Sequence, residues 1–478
     1  MRALFIGCAV VFLALTVGSG ALAGNETAAA GGGSTNPGTG HGPPPSGAGY
    51  YVSPAGNDRN PGTLAAPFAT LGRAQAAMEK SSIKTTYIEA GTYKLRSTLT
   101  LTAADNGEHW AYHPPNGVNS AILDGGSSAG GRGLYDLILI RGGSNITING
   151  LKLENFQAVG VDIEGGSTFG LPVASGNAVI NCDIGHNALT QWNAAAVFTQ
   201  DGAPNTLIAN NYVHDLGSMG IDVNAYSANR DTSVDGTVIA GNVVLNTVER
   251  MNDSGAIYVG MHSGSRSRVL IENNYVASYS GPGTGGGNGI YLDDHASNVT
   301  VTGNIIGPPG APGAQGQYDG NAAIAVDGGH NVVTNNIIDL GATGRVWTAL
   351  GWYDFSVVPQ VDHSGDRFTN NIVISSYAGT ESTAFSGVTG LSFYSNTSAS
   401  DWTIANNVYY NSAGGHVNVR GNLASDAHPL IQNPRLTGWR YQIEGESPVF
   451  SLLSFHPIAG GWGPPGFVIP AKALSPSD

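Results

Sequence analysis

Several carboxylates in the middle of the chain stand beside short apolar runs, where they could carry out acid–base chemistry. Asp253 precedes the run GAIYVG, Asp293 and Asp294 follow GIYL, Asp327 follows AIAV, and Glu249 lies just upstream. Hydrolysis of a glycosidic bond needs one protonated carboxyl group and one ionised nucleophile or base. Crowded carboxylates oppose one another's ionisation, which raises the pKa of one of them. Aspartate is also common in turns, so each residue has a structural alternative.

Strand geometry predicts which neighbours share a surface with these acids. Alternate residues of a strand point to opposite faces of the sheet, so if Ile290 and Leu292 fill a core, Tyr291 and Asp293 face outward. Aligning the runs places Tyr258 beside Tyr291, with the carboxylates above a shallow floor of tyrosine rings. The predicted substrate-binding residues are Tyr258, Tyr291, Asp327, His295, Glu249 and Trp352.

An internal repeat supplies the elements that would position these residues. Seven times an apolar pair leads into an asparagine that is followed at once by apolar residues, as in LIANNYV and LIENNYV. Successive key asparagines lie 31, 32, 30, 32, 35 and 36 residues apart, a period too long for a coiled coil and too regular for chance. The key asparagines are Asn211, Asn242, Asn274, Asn304, Asn336, Asn371 and Asn407.

Each period contains two or three short runs rich in Val and Ile, separated by Gly, Asn, Asp or Ser, which is typical of strands and tight turns. A coil of about 30 residues cannot bury its apolar face alone and must stack on its neighbours. The predicted fold is all-β, a right-handed parallel β-helix with an N-terminal helical cap. Equivalent asparagines can hydrogen-bond along the stack, so we assign them to structure.

The N-terminus has one basic residue, an apolar stretch and a small-residue cleavage pattern, which predicts a secretory signal removed after Ala23. The protein is therefore expected to be secreted, either extracellular or periplasmic. A helix is predicted to begin after Thr70, its N-cap, with apolar positions at helical spacing. The predicted regions are 1–23, signal peptide; 24–49, flexible tether; 50–134, N-terminal cap and first coils; 135–425, catalytic β-helix; and 426–478, C-terminal cap and tail that closes the other end.

Composition narrows the function classes. Charged residues are only 11% and glycine is 70 of 478, which suits a turn-dense solenoid and excludes a charge-rich disordered chain. Cys182 is the only cysteine outside the signal and is expected to be a small buried residue. Residues 153–471 contain no lysine, and a net charge of -14 would repel nucleic acid or another polyanion. No later stretch is long and apolar enough for a membrane span.

Two other groups of residues are weaker candidates. The histidines near coil corners could form a metal site, but no pair has the local spacing of metal ligands, so hydrogen-bonded turn histidines are favoured. Trp347, Trp352 and Tyr353 could stack on sugar rings or pack in the core. The histidines are His186, His214, His262, His295 and His330.

Several phrases together resemble secreted right-handed parallel β-helix carbohydrate-active enzymes, which have the pectate-lyase-like fold. They are YYVSPAGNDRNPGTLAAPFATL, NDSGAIYVG, GIYLDDHASNVTVTGNII and SDAHPLIQNP with GESPVF, and the likeness runs from Tyr50 to about Phe450. Among these enzymes the sequence is similar to the β-helix glycoside hydrolases with α-fucosidase, xylanase and β-xylosidase activities. The resemblance implies that Asp253 and Asp293 are the catalytic pair, with Asp294 where the family often has glutamate.

The sequence thus predicts a secreted, monomeric glycoside hydrolase that acts on a neutral or weakly charged polysaccharide or oligosaccharide without a cofactor or metal. Its catalytic candidates are Asp253, Asp293 and Asp294. Two alternatives remain open. One is a polysaccharide lyase or uronate epimerase on the same fold, for which bound Ca²⁺ could offset the missing lysines. The other is a non-catalytic rod that binds a surface as an adhesin.

Overall fold

Three long parallel sheets run along the chain, and each coil contributes one strand to each sheet. All pairings within the three sheets are parallel, and sheet neighbours are three strands apart in sequence over most of the chain. The expected parallel β-helix is therefore confirmed. The computed structural model describes residues 48–113, 120–127, 133–187, 193–226, 233–251, 253–262, 267–279, 287–310, 322–343, 348–352, 364–376, 391–393, 402–414, 426–438, 441–452 and 455–469.

The strands are short, as the short apolar runs predict. Sheet one has 12 strands: β1 (Tyr50–Val52), β2 (Thr85–Glu89), β5 (His109–His113), β8 (Thr147–Asn149), β11 (Ala178–Ile180), β14 (Leu207–Ala209), β17 (Thr237–Ala240), β20 (Val269–Glu272), β23 (Val299–Thr302), β26 (Val332–Thr334), β29 (Asp366–Thr369) and β32 (Trp402–Ala405). Sheet two has 10: β4 (Leu99–Thr102), β7 (Asp136–Arg141), β10 (Val159–Glu164), β13 (Ala195–Thr199), β16 (Met219–Ala225), β19 (Gly255–Met261), β22 (Asn288–Asp293), β25 (Ala322–Val326), β28 (Thr348–Trp352) and β31 (Leu391–Phe393). Sheet three has 11: β3 (Gly91–Lys94), β6 (Ala121–Asp124), β9 (Lys152–Glu154), β12 (Asp183–Gly185), β15 (Tyr212–His214), β18 (Val243–Leu245), β21 (Tyr275–Ala277), β24 (Ile305–Ile306), β27 (Ile337–Asp339), β30 (Ile372–Ser375) and β33 (Val408–Asn411).

Few other elements occur in the described residues. Two α-helices are α1 (Leu71–Met78) and α2 (Pro448–Leu452), and β34 (Leu436–Thr437) pairs antiparallel with β35 (Gln442–Ile443). The side chain of Thr70 caps α1 by accepting from the Arg73 N–H, as predicted. The helix contacts β1 and β2 through its apolar side. Neither helix of this part of the chain is long and apolar enough to cross a membrane.

Side chains that point inward from equivalent strands stack into columns of branched aliphatic residues. β-Branched residues suit this pleated, buried surface. One column on sheet two is fully buried along seven successive coils, so a shift of one residue in any coil would move a core residue to the outer face. This column is Val161, Val197, Ile221, Ile257, Ile290, Ile324 and Leu350.

The key asparagines form a continuous buried ladder between sheets one and three, as predicted. The Asn242 side-chain carbonyl accepts from both the backbone N–H and the side-chain amide of Asn211, at 2.9 and 3.0 Å. The same pair of bonds recurs at each step to Asn407, whose two donors both reach the carboxylate of Asp426. At the other end the Cys182 N–H donates to Asn211. Cys182 is fully buried, as predicted, and burial raises the pKa of its thiol to about 12.

Each ladder asparagine follows a residue with a left-handed backbone. That residue turns the chain at the corner, which Asn and Gly do at low cost. The side-chain carbonyl of the asparagine next to it then accepts from the corner N–H of the preceding coil. Without this bond that N–H would be buried without an acceptor. The left-handed residues are Asn210, Gly241, Asn273, Gly303, Asn335, Asn370 and Asn406, with φ between 49 and 66°.

The end of the chain covers a side of the rod. Beyond Asp426, Leu430 bridges to β33, but the later residues turn back along the outer face of sheet three. We call residues 441–452 and 455–469 the C-terminal strap. Its Trp462 packs against Tyr275 with ring centroids 5.6 Å apart, and Phe467 lies 4.4 Å from Tyr212.

The first residues of the segment predicted to close the open end bond to the last described coil, whereas the strap lies along the side because of the outer face of sheet three. Val243, Leu245, Ile305 and Ile337 point outward there, so this sheet needs cover on both faces. The predicted signal and nearly all of the predicted tether, residues 1–47, lie outside the described residues.

We expect Asn274→Ala to destabilise the β-helix strongly. It removes the acceptor of two buried Asn242 donors and the donor to the Ile239 carbonyl. Each buried group left unpaired costs about 1–3 kcal/mol, so the loss should be several kcal/mol. Urea unfolding followed by circular dichroism measures it. The matched control is Asn273→Gly in the same corner, since other coils have glycine at that position; equal destabilisation by both variants would contradict a special role for the ladder.

Candidate functional site

The outer face of sheet two places the predicted carboxylates and tyrosines together. Tyr258 on β19 is in register with Tyr291 on β22, and Gly260 is in register with Asp293. Ile290 and Leu292 are fully buried in the central core, so their strand neighbours Tyr291 and Asp293 face outward, as predicted. The parallel register of two consecutive coils therefore builds the site.

Two crossed hydrogen bonds tie the tyrosines to the acids. The Tyr258 hydroxyl donates to Asp293 Oδ2 at 2.9 Å, from the earlier coil to the later one. The Tyr291 hydroxyl donates to Asp253 Oδ1 at 3.3 Å, from the later coil to the earlier one. The two rings meet edge to face with centroids 5.4 Å apart. Asp253 and Asp293 are thus held by one packed pair of tyrosines.

The tyrosine rings do not form the predicted floor. Tyr258 is 5% exposed and Tyr291 is 2% exposed, because each ring packs on the other and on apolar neighbours of the same outer face. Their hydroxyl groups, and not their ring faces, point to the carboxylates. Burial, and next the charge of Asp293, raise the pKa of Tyr258, so its hydroxyl group stays protonated and acts as a donor.

Asp293 is half-buried at the end of β22, and its environment favours the protonated form. Burial, followed by the charges of Asp294 and Asp253, raises the pKa of Asp293 to about 7. Bonds from the Tyr258 hydroxyl and from the Asp294 backbone N–H, at 2.8 Å, partly oppose that rise. The group can therefore exchange a proton near neutral pH.

Asp253 and Asp294 are exposed, and both have left-handed backbones, with φ of 52 and 48°. Aspartate tolerates this conformation because its short side chain bonds locally. Desolvation and the charge of Asp294 raise the pKa of Asp253, while the Tyr291 hydroxyl stabilises its ionised form. Asp253 lies just before β19 and Asp294 just after β22.

Of the other predicted substrate-binding residues, some lie close to Asp293 in the fold and one does not. Asp327 is buried on the coil after Asp293, and its N–H donates to the Leu292 carbonyl. His295 is half-buried two residues beyond Asp293. Glu249 does not join the acids: its N–H bonds back to the preceding coil, and its charged neighbours are Asp215 and Arg250.

The aromatic candidates lie largely outside the described residues. Trp352 ends β28 in register with Val326, but its side chain is not described, and neither Trp347 nor Tyr353 is described. His262 follows β19 and His330 has a left-handed backbone, so both lie near corners, as predicted.

One group of side chains in the described residues has ligand atoms close enough for a metal ion. The ligand atoms of His186, His214 and Asp215 lie within 4.8 Å of one another. Both ring nitrogens of His214 are already bonded, to Asp215 at 2.7 Å and Asp183 at 2.9 Å. Burial alone would lower the pKa of His214, but these two bonds outweigh it and raise the pKa to about 9. His214 is therefore protonated at neutral pH and joins Asp183 and Asp215 on sheet three.

Sequence reasoning missed three residues on the strand that precedes the tyrosine pair. Asp222, Asn224 and Tyr226 alternate along β16 and its end, which puts them on the outer face. Asp222 is in register with Tyr258, and Asn224 with Gly260. The alternation in GIDVNAY was the available signal, and it is the same one that identified Tyr291 and Asp293.

Comparisons with known proteins identify the fold. A family described as Protein of unknown function (DUF1565) matches residues 54–285. No curated protein matches the chain. A glycoside hydrolase superposes with a TM-score of 0.52 at 10% identity, over 84% of this chain and 99% of its own.

Two further structures are similar. A PL6 family alginate lyase has a TM-score of 0.52 at 14% identity, over 87% of this chain and 58% of its own. The pectate lyase Pel9A has a TM-score of 0.47 at 15% identity, over 77% and 81%. At these identities the likeness concerns the fold alone.

A second acidic group on sheet two should make the stability of the protein depend on pH. Burial raises the pKa of Asp162 to about 8, although Gln200 donates to it at 2.7 Å. Unfolded aspartate titrates near about 3.9. Because the folded pKa is the higher one, the stabilising contribution is complete below about pH 4 and is lost as the pH rises through about 8. Asp162→Asn should therefore raise the urea midpoint at about pH 8.5 and change it little at about pH 4.

The control for this titration is Asp235→Asn. The Arg268 side chain holds the pKa of Asp235 below its usual range, so that variant should lose a little stability at the higher pH. Equal shifts of the Asp162→Asn midpoint at both pH values would show that the residue acts through packing and not through its proton.

Proposed function

We propose that this protein is a secreted glycoside hydrolase that acts on a neutral or weakly charged polysaccharide or oligosaccharide. The observation that carries the proposal is the crossed pair of bonds, Tyr258 to Asp293 at 2.9 Å and Tyr291 to Asp253 at 3.3 Å. These bonds hold two carboxyl groups side by side on an outer face, in different environments. Two carboxyl groups with different proton affinities are what glycoside hydrolysis requires.

The environments assign the two roles. Asp293 is half-buried and has a pKa of about 7, so it acts as the general acid that protonates the leaving oxygen. Asp253 is exposed and receives a hydroxyl hydrogen bond, so its ionised form serves as nucleophile or base. The charge of Asp294 supports the protonated state of Asp293. The two tyrosines position the acids from beneath.

The main competing activity is a lyase reaction on uronates. The fold does not separate the two, since a glycoside hydrolase and an alginate lyase both superpose with a TM-score of 0.52. Chemistry favours the hydrolase. Removal of a proton beside a uronate carboxylate needs a strong base, whereas Tyr258 stays protonated and residues 153–471 contain no lysine to act as that base.

The remaining properties follow from the same proposal. A net charge of -14 suits an uncharged glycan better than a polyanion. The reaction with two carboxyl groups needs no cofactor, and we propose a monomer because a β-helix buries its core within one chain. The predicted signal sequence accounts for secretion.

We expect Asp253→Asn and Asp293→Asn each to lower kcat by about 10²- to 10⁴-fold, the usual contribution of general acid–base help. The measurement is release of reducing sugar from a glycan found by screening, with circular dichroism to confirm the fold. Asp235→Asn is the matched control and should retain full activity, because Asp235 is half-buried just before β17 and pairs with Arg268.

Added azide should restore turnover to Asp253→Asn, because azide replaces a missing nucleophile or base but not a missing acid. Near-normal turnover in both catalytic variants would overturn the proposal. A product with a 4,5-unsaturated uronate, detected by ultraviolet absorbance, would assign the site to a lyase.

The pH profile provides a separate test of the acid. Asp293 donates only while protonated, so kcat/KM should fall as the pH rises above about 7. Tyr258→Phe removes a bond that favours the carboxylate and should move this fall to higher pH. Asp294→Asn removes a nearby negative charge and should move it to lower pH. Shifts of both variants in one direction would contradict the assignment.

A further inference from the structure

Tyr226 is the one residue near the acidic pair that presents a large aromatic surface to solvent in the described part of the chain. Its side chain is 43% exposed, whereas Tyr258 and Tyr291 are at most 5% exposed. Its hydroxyl group hydrogen-bonds to Tyr258, which in turn donates to Asp293. The ring is therefore anchored at its polar end and open along its apolar surface.

Gly260 allows this placement. A Cβ atom at Gly260 would lie 2.7 Å from the Tyr226 hydroxyl and 2.9 Å from Asn224 Oδ1, too close for either. The missing side chain gives the Tyr226 hydroxyl room to reach Tyr258. Gly260 is also in register with Asp293, so the hydroxyl end of the Tyr226 ring lies one strand away from Asp293.

Two polar side chains lie beside the ring, and the Asn224 side-chain amide donates to Asp222 Oδ2 at 3.5 Å. Asp222 is fully buried and Asn224 is 3% exposed, yet Asp222 Oδ1 and Asn224 Oδ1 have no hydrogen-bond partner among the described residues. Both oxygen atoms are enclosed, so a ligand at the ring does not contact them directly. Burial raises the pKa of Asp222 well above its usual range, so this carboxyl group presents no full charge to a ligand.

We propose that Tyr226, with Asn224 and Asp222 beside it, forms a sugar-binding subsite for a neutral pyranose residue next to the bond that is cleaved. The apolar face of the sugar stacks on the exposed Tyr226 ring, which the bond to Tyr258 holds in place. This inference rests on the proposed function for the position of the cleaved bond. It adds the class of sugar and a location for it.

The subsite also fixes the direction of the glycan. Tyr226 follows β16 and Asp293 ends β22, two coils further along sheet two. Two coils correspond to about 10 Å at the usual strand spacing. A glycan that contacts both residues lies along the axis of the rod and crosses the strands.

Binding without turnover tests the subsite. The probes are hexasaccharides of glucose, xylose, mannose and galactose, with a galacturonate hexamer of equal length, titrated by calorimetry into Asp293→Asn and into Tyr226 variants made in that background. We expect a neutral member to bind, and Tyr226→Ala and Tyr226→Leu each to weaken it roughly tenfold, or about 1.4 kcal/mol. Tyr226→Phe should stay close to Asp293→Asn alone, because the ring is retained.

The matched control is Tyr135→Ala, since Tyr135 is 48% exposed at the start of β7, three coils before β16. The affinity of Tyr135→Ala for the neutral hexasaccharide should be unchanged. Four results would each overturn the subsite. They are equal losses of affinity in Tyr226→Leu and Tyr226→Phe, an affinity independent of Tyr226, preference for the galacturonate hexamer, and no binding of any neutral probe.

The two proposals fail in different ways. Binding that depends on Tyr226, together with full activity in Asp293→Asn, would refute the hydrolase mechanism and retain the subsite. Loss of activity in Asp293→Asn, with binding that ignores Tyr226, would refute the subsite alone.

Discussion

The buried backbone N–H at each corner between sheets one and three is the constraint on which the rest of the structure depends. A left-handed residue turns the chain there, and the N–H that follows points along the rod, away from water. An asparagine on the next coil accepts from it. The backbone N–H of that asparagine in turn needs an acceptor, which the asparagine one coil later provides. The series ends only where Asp426, a carboxylate with no amide of its own to satisfy, accepts both donors of Asn407.

Because the ladder fixes one residue per coil, it fixes the register of every strand that follows. Equivalent positions on sheet two therefore lie in line although the loops between them differ in length. That alignment brings Tyr258 beside Tyr291 and Gly260 beside Asp293. The crossed bonds to the acids are a consequence of register, and the pKa of Asp293 follows from the burial and the charges gathered there.

Features that repeat could be predicted from the sequence, and features that occur once could not. The period identified the ladder, and strand alternation placed Asp293 outward; the N-cap Thr70 followed from local preference alone. The exposure of the tyrosine rings could not be predicted, because it depends on how Tyr258 and Tyr291 pack on each other. The surroundings of Glu249 could not be predicted for a similar reason, since they depend on one corner where its N–H bonds to the preceding coil.

The C-terminal strap changes how this rod assembles. Coils that contact only their neighbours can form one after another and fray independently at the ends. Here Phe467 packs on Tyr212, more than 250 residues earlier in the chain, and Gly463 bonds to Gly241. The outer apolar stripe of sheet three thus stays uncovered until the C-terminal strap has been made. The strap therefore links the stability of these middle coils to contacts with a segment far along the chain.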